Sequence, residues 1–373
     1  MNLKPAALLK QLAARPVAVL LLFAMMLPLL NLAGCASPLY YGQAISGHMT
    51  IMRERENITD IIDRVETGAE LRRQLKLSIE IRRFASQHLG LPENNSYSQF
   101  VATGREAVTW NVLAAPEFSV QAREWCFLVS GCVPYRGYFQ LEGARKFASK
   151  MEAGSYDVAV SPAIAYSTLG WFEDPLLDTM LNYSDEQLAA LLFHELAHQQ
   201  LYVKGDTSFN ESYAEFVEEA GVRLWLHAQG QLDALERWQA RENASVQFNA
   251  LLIRTRDRLA QEYLSGHPEP RMRENKEIIF SDMRKEYSNM VQQDWNGKDY
   301  YKTWFSRTLN NAQLALTSSY QGGACAFRSL YQTADRDIIR FHQLAAEKAE
   351  LDKAERHSWF NMSCTVIASD GNL

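Results

Sequence analysis

Residues 191–200 read Leu-Leu-Phe-His-Glu-Leu-Ala-His-Gln-Gln, and this stretch decides how the rest of the chain is interpreted. Its two histidines, His194 and His198, are one helical turn apart in a segment without a helix breaker. That spacing puts both imidazoles on one helix face, roughly 40° apart, close enough to share a metal ion. Glu195 follows the first histidine, where its carboxylate can act as a general base beside the metal rather than as a ligand.

Chance does not explain this motif. The chain has 8 His and 44 Asp plus Glu in 373 residues, which gives roughly 0.02 such motifs by coincidence. The surrounding stretch is apolar, and a glutamate buried in an apolar helix needs a compensating role. The spacing therefore predicts a catalytic metal site, with zinc as the metal.

A third metal ligand is required, and the next predicted helix carries the run Phe209-Asn210-Glu211-Ser212-Tyr213-Ala214-Glu215. We assign Glu211 to the metal. Glu215, one turn later, is then placed to hydrogen-bond the outer nitrogen of a ligand histidine, although the reverse assignment also fits the spacing. Glu218 lies near the same face and is interpreted as a solvated or locally paired carboxylate. The prediction is one zinc ion per chain, bound by His194, His198 and Glu211.

The remaining histidines are not predicted to bind the metal. His227 lies about 160° around its helix from Glu211, on the opposite face. An ordinary exposed role is expected for the others, which are His48, His88, His267, His342 and His357.

Apolar periodicity and helix breakers predict a mainly α-helical α+β fold. A helical hairpin is expected from Ile45 to about His88. A small sheet is expected between residues 91 and 170, with strands at Val108–Val112, Cys126–Val129 and Tyr156–Val160. Further helices are expected at 184–203, 210–227, 231–264 and 271–293, the last two as solvated helices with one packed face. Ser184 and Gln187 have capping-box spacing at the start of the motif helix.

The composition excludes several classes of protein. With 47% hydrophobic and 22% charged residues, the chain resembles globular proteins rather than disordered ones. Its formal net charge of -6 gives no general attraction to phosphate backbones, and Lys and Arg do not cluster with aromatic residues. Nucleic acid is therefore not expected as a partner.

The N-terminus has the order of residues found in a bacterial export signal. Basic residues without acidic ones are followed by the apolar run Val17–Leu32 and then by small residues. Leu32-Ala33-Gly34-Cys35 resembles a lipobox, in which the cysteine is lipidated and becomes the mature N-terminus. The alternative is an uncleaved helix that anchors the chain in the inner membrane.

The lipobox resemblance implies a division of the chain and a location. Residues 1–34 would be the lipoprotein signal peptide, 35–44 a lipid-anchored tether, and 45–373 one domain with helical N- and C-terminal parts. Ala36 after the cysteine implies the outer membrane of a Gram-negative cell envelope, facing the periplasm. Lipid on Cys35 would then make the membrane contact.

Four cysteines remain after Cys35, namely Cys126, Cys132, Cys325 and Cys364. An even number in an oxidising compartment favours two disulfides. The short Cys126–Cys132 loop favours a local bridge, which leaves Cys325 with Cys364, although three pairings are formally open. A four-cysteine zinc site is disfavoured because no Cys-x-x-Cys pair is present.

At this point the chain resembles the gluzincins, whose His-Glu-x-x-His helix is completed by a glutamate on a following helix. More closely, it resembles the putative aminopeptidase family of proteobacterial lipoproteins. The segments that carry this resemblance are Tyr41–Gly47, Leu91-Pro92, Trp110-Asn111-Val112, Cys126–Phe139, Ala165–Pro175, Phe193–Gly221 and Asn310–Tyr320. The resemblance implies a zincin-like fold, metallopeptidase chemistry, and a peptide or protein substrate aligned along the edge of strand Tyr156–Val160.

An electrophile for the transition-state oxyanion is also needed, and a tyrosine or histidine usually supplies it. The sequence does not choose among its candidates, which are Tyr135, Tyr138, Tyr213 and Tyr320. Protein partners and oligomeric state are not indicated.

Two questions stay open at the level of sequence. The first is whether the chain is an enzyme or a non-hydrolytic envelope scaffold that kept a structural zinc; Glu195 favours the enzyme, because a structural site does not need it. The second is the type of cleavage. Residues 36–193 lack the Gly-x-Met-x-Asn segment of well-known gluzincin aminopeptidases, and Glu124, Glu173 and Asp174 are more simply surface charges. We therefore expect peptidase activity to be found more readily than strict aminopeptidase activity.

Overall fold

Helices flank three small sheets in the structure, a computed structural model that describes residues 38–127, 131–165, 168, 172–315 and 323–360. The mainly helical α+β class is confirmed. The first helices are α1 (Pro38–Arg53), α2 (Ile58–Asp63) and α3 (Ala69–Leu89). Residues 38–44, which we expected to be a tether, are therefore helical. The signal peptide and Cys35 lie outside the described residues.

The strands occupy the middle of the first half of the chain. They are β1 (Glu56–Asn57), β2 (Gln99–Val101), β3 (Thr109–Pro116), β4 (Trp125–Phe127), β5 (Gly131–Val133), β6 (Arg136–Tyr138), β7 (Tyr156–Ala163) and β8 (Leu176–Leu177). The largest sheet has the order β6-β3-β7 with antiparallel pairing throughout. Helix α4 (Leu141–Glu152) packs Ala144 and Ala148 against it.

Strands β4 and β5 form a separate hairpin that carries a disulfide. Cys126 and Cys132 stand opposite each other in its register and are bonded, as the sequence predicts. Cys325 is also disulfide-bonded. Its predicted partner, Cys364, lies outside the described residues.

The histidine motif lies on helix α5 (Asp185–Gln200), which packs on α6 (Thr207–Ala228). The predicted capping box is present, with Gln187 Oε1 3.3 Å from the backbone N of Ser184. Leu192, Phe193 and Leu196 are fully buried in the main core, which also contains parts of α3 and α6. This apolar face fixes α5 and leaves its histidine face toward α6.

A second helical hairpin follows directly. It consists of α7 (Leu232–Tyr263) and α8 (Glu269–Asn289), and a π-helical turn at Met290–Asp294 ends it. The hairpin has its own apolar core, which includes Phe248, Leu251 and Met283. Lys276 Nζ joins it to the large sheet by donating to Asp157 Oδ2 at 2.6 Å.

The last helices are α9 (Lys302–Phe305), α10 (Asn311–Ala315), α11 (Gly323–Thr333) and α12 (Ile338–Ala349), and residues 353–360 are helical as well. Of these, α9 and α10 pack on the second hairpin and the large sheet, whereas α11 and α12 pack next to α6. A Cβ on Gly323 would lie 1.9 Å from Ser212 Oγ, so only glycine allows α11 to approach α6 this closely. Within the described part of the chain, no helix is both long and apolar enough to cross a bilayer.

Candidate metal centre

Three predicted ligands come together between α5 and α6. His194 Nε2 lies 3.2 Å from His198 Nε2, and the two rings are nearly perpendicular. Glu211 places Oε2 3.5 Å from His194 Nε2 and Oε1 3.7 Å from His198 Nε2. Among the described residues, this is the group of His, Cys, Asp or Glu side chains that can hold a metal ion, with ligand atoms within 4.8 Å of one another.

The connection between α5 and α6 sets this geometry. Asp206 caps α6 by accepting from the backbone N of Phe209 at 3.2 Å. Buried Asn210 donates to Val203 O at 2.9 Å and accepts from Val203 N at 2.8 Å, so it ties the loop to the first turn of α6. Asp206 also accepts from Arg356 Nε at 2.8 Å, and both side chains of this ion pair are buried.

Glu218 orients the first histidine. Its Oε2 lies 3.0 Å from His194 Nδ1, a contact that we expected Glu215 to make. Glu218 lies two turns after Glu211 and therefore on nearly the same face of the helix. Glu215, one turn after Glu211, is rotated further from the direction of Glu211 than Glu218 is. Glu215 has no such contact, and burial raises its pKa to about 7. The carboxylate that we interpreted as solvated or locally paired is thus the one that supports the site.

The charges of the cluster are strongly coupled. Burial opposes a proton on His194, but hydrogen bonds to Glu211 and Glu218 outweigh it and raise its pKa well above the ordinary value. Burial and the neighbouring His194 lower the pKa of His198 to about 4. Although burial opposes it, the hydrogen bond to His194 lowers the pKa of Glu211. The cluster therefore keeps one carboxylate ionised and one imidazole neutral.

The donor set fits a zinc ion. Glu218 accepts the Nδ1 proton of His194, so His194 Nε2, His198 Nε2 and the Glu211 carboxylate become three acceptors once the second proton of His194 is lost. Three such acceptors that face one point repel one another unless a cation or a proton lies between them. Two neutral imidazoles and one carboxylate are a usual ligand set for catalytic zinc, and the carboxylate on the outer nitrogen is its usual support.

Glu195 is partly buried and follows the predicted ligand His194 directly on α5. Burial, together with the charges of Glu211, Asp174 and Glu218, raises its pKa to about 7, while His194 acts in the opposite direction. A carboxyl group with a pKa near neutrality can both accept and return a proton in the working range. Asp174, which we expected at the surface, is buried and accepts from Thr168 N and Oγ1 at 3.0 and 2.8 Å.

The structure distinguishes the tyrosines that we considered for stabilising the oxyanion. Tyr213 is fully buried, with its hydroxyl 2.7 Å from Nδ1 of buried His342, so both residues are core residues rather than the exposed or catalytic ones we considered. Tyr138 is buried in the sheet next to Tyr40. Tyr320 lies outside the described residues.

Tyr135 remains beside the metal centre. Burial of its hydroxyl and the charges of Glu211, Tyr202 and Glu195 raise its pKa above the ordinary value, although 38% of the residue is exposed. Tyr202, which sequence reasoning missed, has its ring 6.5 Å from that of His198. Tyr202 lies two residues beyond the end of α5, so helical spacing gave no signal for it.

The predicted substrate edge is partly covered. Strand β7 is an edge strand of its sheet, but Asn310 Nδ2 donates to Val158 O at 2.9 Å, and Asn311 N donates to Asp157 Oδ2 at 2.8 Å. The segment before α10 therefore takes part of the hydrogen-bonding capacity that an added peptide strand would need.

The fold and the site together define a class of protein: an α+β chain with a candidate His-His-Glu metal centre on two packed helices and a partly buried glutamate beside it. Sequence comparison then gives the family. The family model described as "Putative aminopeptidase" matches residues 39–360, and the chain belongs to that family. Neither a curated protein nor a solved structure matches the chain.

Proposed function

We propose that this protein hydrolyses peptide bonds with one zinc ion held by His194, His198 and Glu211. The observation that carries the proposal is the convergence of these three side chains beside Glu195, whose pKa is raised to about 7. Membership of the putative aminopeptidase family supports peptide hydrolysis as the reaction class. The motif and the order of its ligands further support a gluzincin-type site in a zincin-like fold.

Three glutamates near the centre have distinct roles in this proposal. Glu218 holds the His194 ring so that Nε2 faces the metal position, and Glu211 supplies the negative ligand. A bound zinc ion supplies a Lewis acid for the scissile carbonyl and lowers the pKa of water. Glu195 takes the proton from the attacking water and passes it to the leaving amine.

Tyr135 is our choice for the group that stabilises the oxyanion. Its raised pKa keeps the phenol protonated, so it can donate a hydrogen bond to developing negative charge near Glu211 and Glu195. Tyr135→Phe is expected to lower kcat far more than it changes zinc content.

The location is part of the proposal. The lipobox-like Leu32-Ala33-Gly34-Cys35 supports a lipid anchor on Cys35 in the outer membrane of a Gram-negative cell envelope, with the domain in the periplasm. Intact-mass measurement of protein purified from membranes tests this directly. A mass that includes residues 1–34 would refute it.

The deciding experiment is Glu195→Gln, because the amide keeps the shape of the side chain but cannot take the proton. The variant is expected to retain one zinc per chain by elemental analysis and to lose about 10²- to 10⁴-fold in cleavage of a peptide library. Glu186→Gln on the same helix is the matched control and should keep full activity. Unchanged turnover in Glu195→Gln would contradict the mechanism.

The same assay separates the enzyme from a non-hydrolytic scaffold with a structural zinc. A wild type that binds zinc yet cleaves no peptide would favour the scaffold. Matched peptides with free and acetylated N-termini distinguish the type of cleavage. We expect both to be cut, whereas loss of cleavage on acetylation would establish a strict aminopeptidase.

A further inference from the structure

A cleft of about 340 Å³ lies between helix α1 and the large sheet. Helix α1 contributes Tyr40, Tyr41 and Ala44, and the opposite wall includes Asn111, Tyr135 and Phe139. Among the described residues, its lining contains no Asp, Glu, Lys or Arg. The cleft is therefore uncharged and largely aromatic.

The walls of the cleft are fixed by specific contacts. Gln43 binds the exposed edge of β6 through both ends of its amide: Nε2 donates to Gly137 O at 3.4 Å, and Oε1 accepts from Phe139 N at 3.1 Å. A Cβ on Gly47 would lie 2.1 Å from the Phe139 ring, so α1 approaches that ring as closely as only glycine permits. These contacts hold the cleft open as a preformed feature.

The cleft is joined to the metal helices through the β4–β5 hairpin. Phe127 and Val133 of this hairpin line the cleft, and Tyr135 follows the hairpin in the chain. The hairpin that precedes it rests on the α5–α6 loop, where a Cβ on Gly131 would lie 3.7 Å from Gly205 Cα. One wall of the cleft is thus attached to the loop that joins the two metal helices.

We propose that the cleft binds one large uncharged side chain, aromatic or branched aliphatic, of a peptide whose scissile bond lies at the metal centre. The assignment rests on the proposed peptidase function. The volume is near the lower end of ligand pockets, about 300–1,000 Å³, which suits one side chain rather than a longer segment. Aromatic walls favour an aromatic guest, and burying a charged side chain against them is costly.

Substitutions in α1 test the cleft without touching the metal centre. Ala44→Trp fills it, whereas Ile45→Trp places the same indole at the next residue, on the exposed side of the helix. Internally quenched peptides would carry Phe, Leu, Ala, Glu or Lys at each position flanking the scissile bond. In the wild type, kcat/KM is expected to be at least about 10-fold higher for Phe or Leu than for Ala or Glu at one position.

Ala44→Trp is expected to lower kcat/KM for the Phe and Leu peptides to about the level of the Ala peptide, and Ile45→Trp is expected to keep the preference. Asn111→Asp provides a second variant that adds a charge with little change of volume. It is expected to raise kcat/KM for the Lys peptide by about 10-fold relative to the Phe peptide. A preference that neither variant changes would overturn the proposal.

Binding without catalysis separates the cleft from the peptidase function. N-acetyl-phenylalanine amide is expected to bind the full chain after EDTA treatment, by saturation-transfer NMR, while N-acetyl-glutamate amide is not. Ala44→Trp should lose the signal and Ile45→Trp should keep it. Binding without any peptide cleavage would refute the proposed peptidase function but would not refute the assignment of the cleft as a side-chain binding site. Cleavage without side-chain preference or probe binding would refute only the assignment of the cleft as a binding site. Occupancy of the cleft by another segment of this chain would refute that assignment as well.

Discussion

Two helical hairpins follow each other in this chain and use polar residues in opposite ways. In α5–α6, imidazoles and carboxylates are partly buried and converge on one point. In α7–α8, the inside is apolar and the charges pair at the surface, as in Arg258–Asp282 at 2.9 Å. Acidic and imidazole side chains that converge on one partly buried point mark a site, whereas surface pairs mark a solvated helix.

The largest effect is expected where the loop of the first hairpin is clamped. Asp206→Ala removes one partner of the buried ion pair and leaves Arg356 uncompensated, which is expected to cost about 3–5 kcal/mol in the free energy of unfolding. Urea denaturation measures this loss. A cost below about 1 kcal/mol would show that the pair behaves like a surface pair.

Substitutions that create cavities of similar size in the two hairpins would test whether their cores are independent. Leu196→Ala in α5 and Leu251→Ala in α7 both truncate fully buried side chains, so each is expected to cost about 2–5 kcal/mol. Only Leu196→Ala should also weaken zinc binding, because Leu251 belongs to a separate core. Equal losses of zinc affinity, measured by competition with a chelator, would contradict this separation.

A smaller effect is expected from the residue that orients His194. Glu218→Gln should lower zinc affinity by about 10- to 100-fold, the usual penalty for losing such a partner. Glu215→Gln is the matched control on the same helix and should change affinity less. If the two variants ranked in reverse order, Glu215 would be the supporting carboxylate, as the sequence first indicated.

The smallest effect is expected at the surface of the second hairpin. Asp282→Ala breaks an exposed pair with Arg258 and is expected to change the free energy of unfolding by no more than about 1 kcal/mol. Zinc content should stay the same. A larger loss would mean that these charges have a role the structure does not show.

Local spacing predicted the parts of this molecule that depend on one helix or one hairpin. His194 and His198 share a face because they are one turn apart, and Cys126 and Cys132 bond across a single hairpin. Glu211 was predicted from its place on the following helix, which directly packs on the first.

The predictions that failed concern residues whose positions depend on contacts between distant segments of the chain. Whether Glu215 or Glu218 reaches His194 is decided by how α5 and α6 cross, and the sequence does not specify that crossing. Tyr213 is a core residue because His342 packs against it, a partner 129 residues away. Helix α1 begins before the predicted residue 45, and a distant segment stabilises this first part, because Gln43 binds backbone groups of Gly137 and Phe139 at β6.

The Asp206–Arg356 ion pair also has a consequence for the order of events during synthesis. Its partners are 150 residues apart, so at about 5–20 residues per second a ribosome needs roughly 8 to 30 s to reach the second after the first. Throughout that interval the loop between the metal helices has only local contacts, such as those between Asn210 and Val203. We therefore expect nascent chains that end before Arg356 to load metal poorly, and metal insertion to follow completion of the chain.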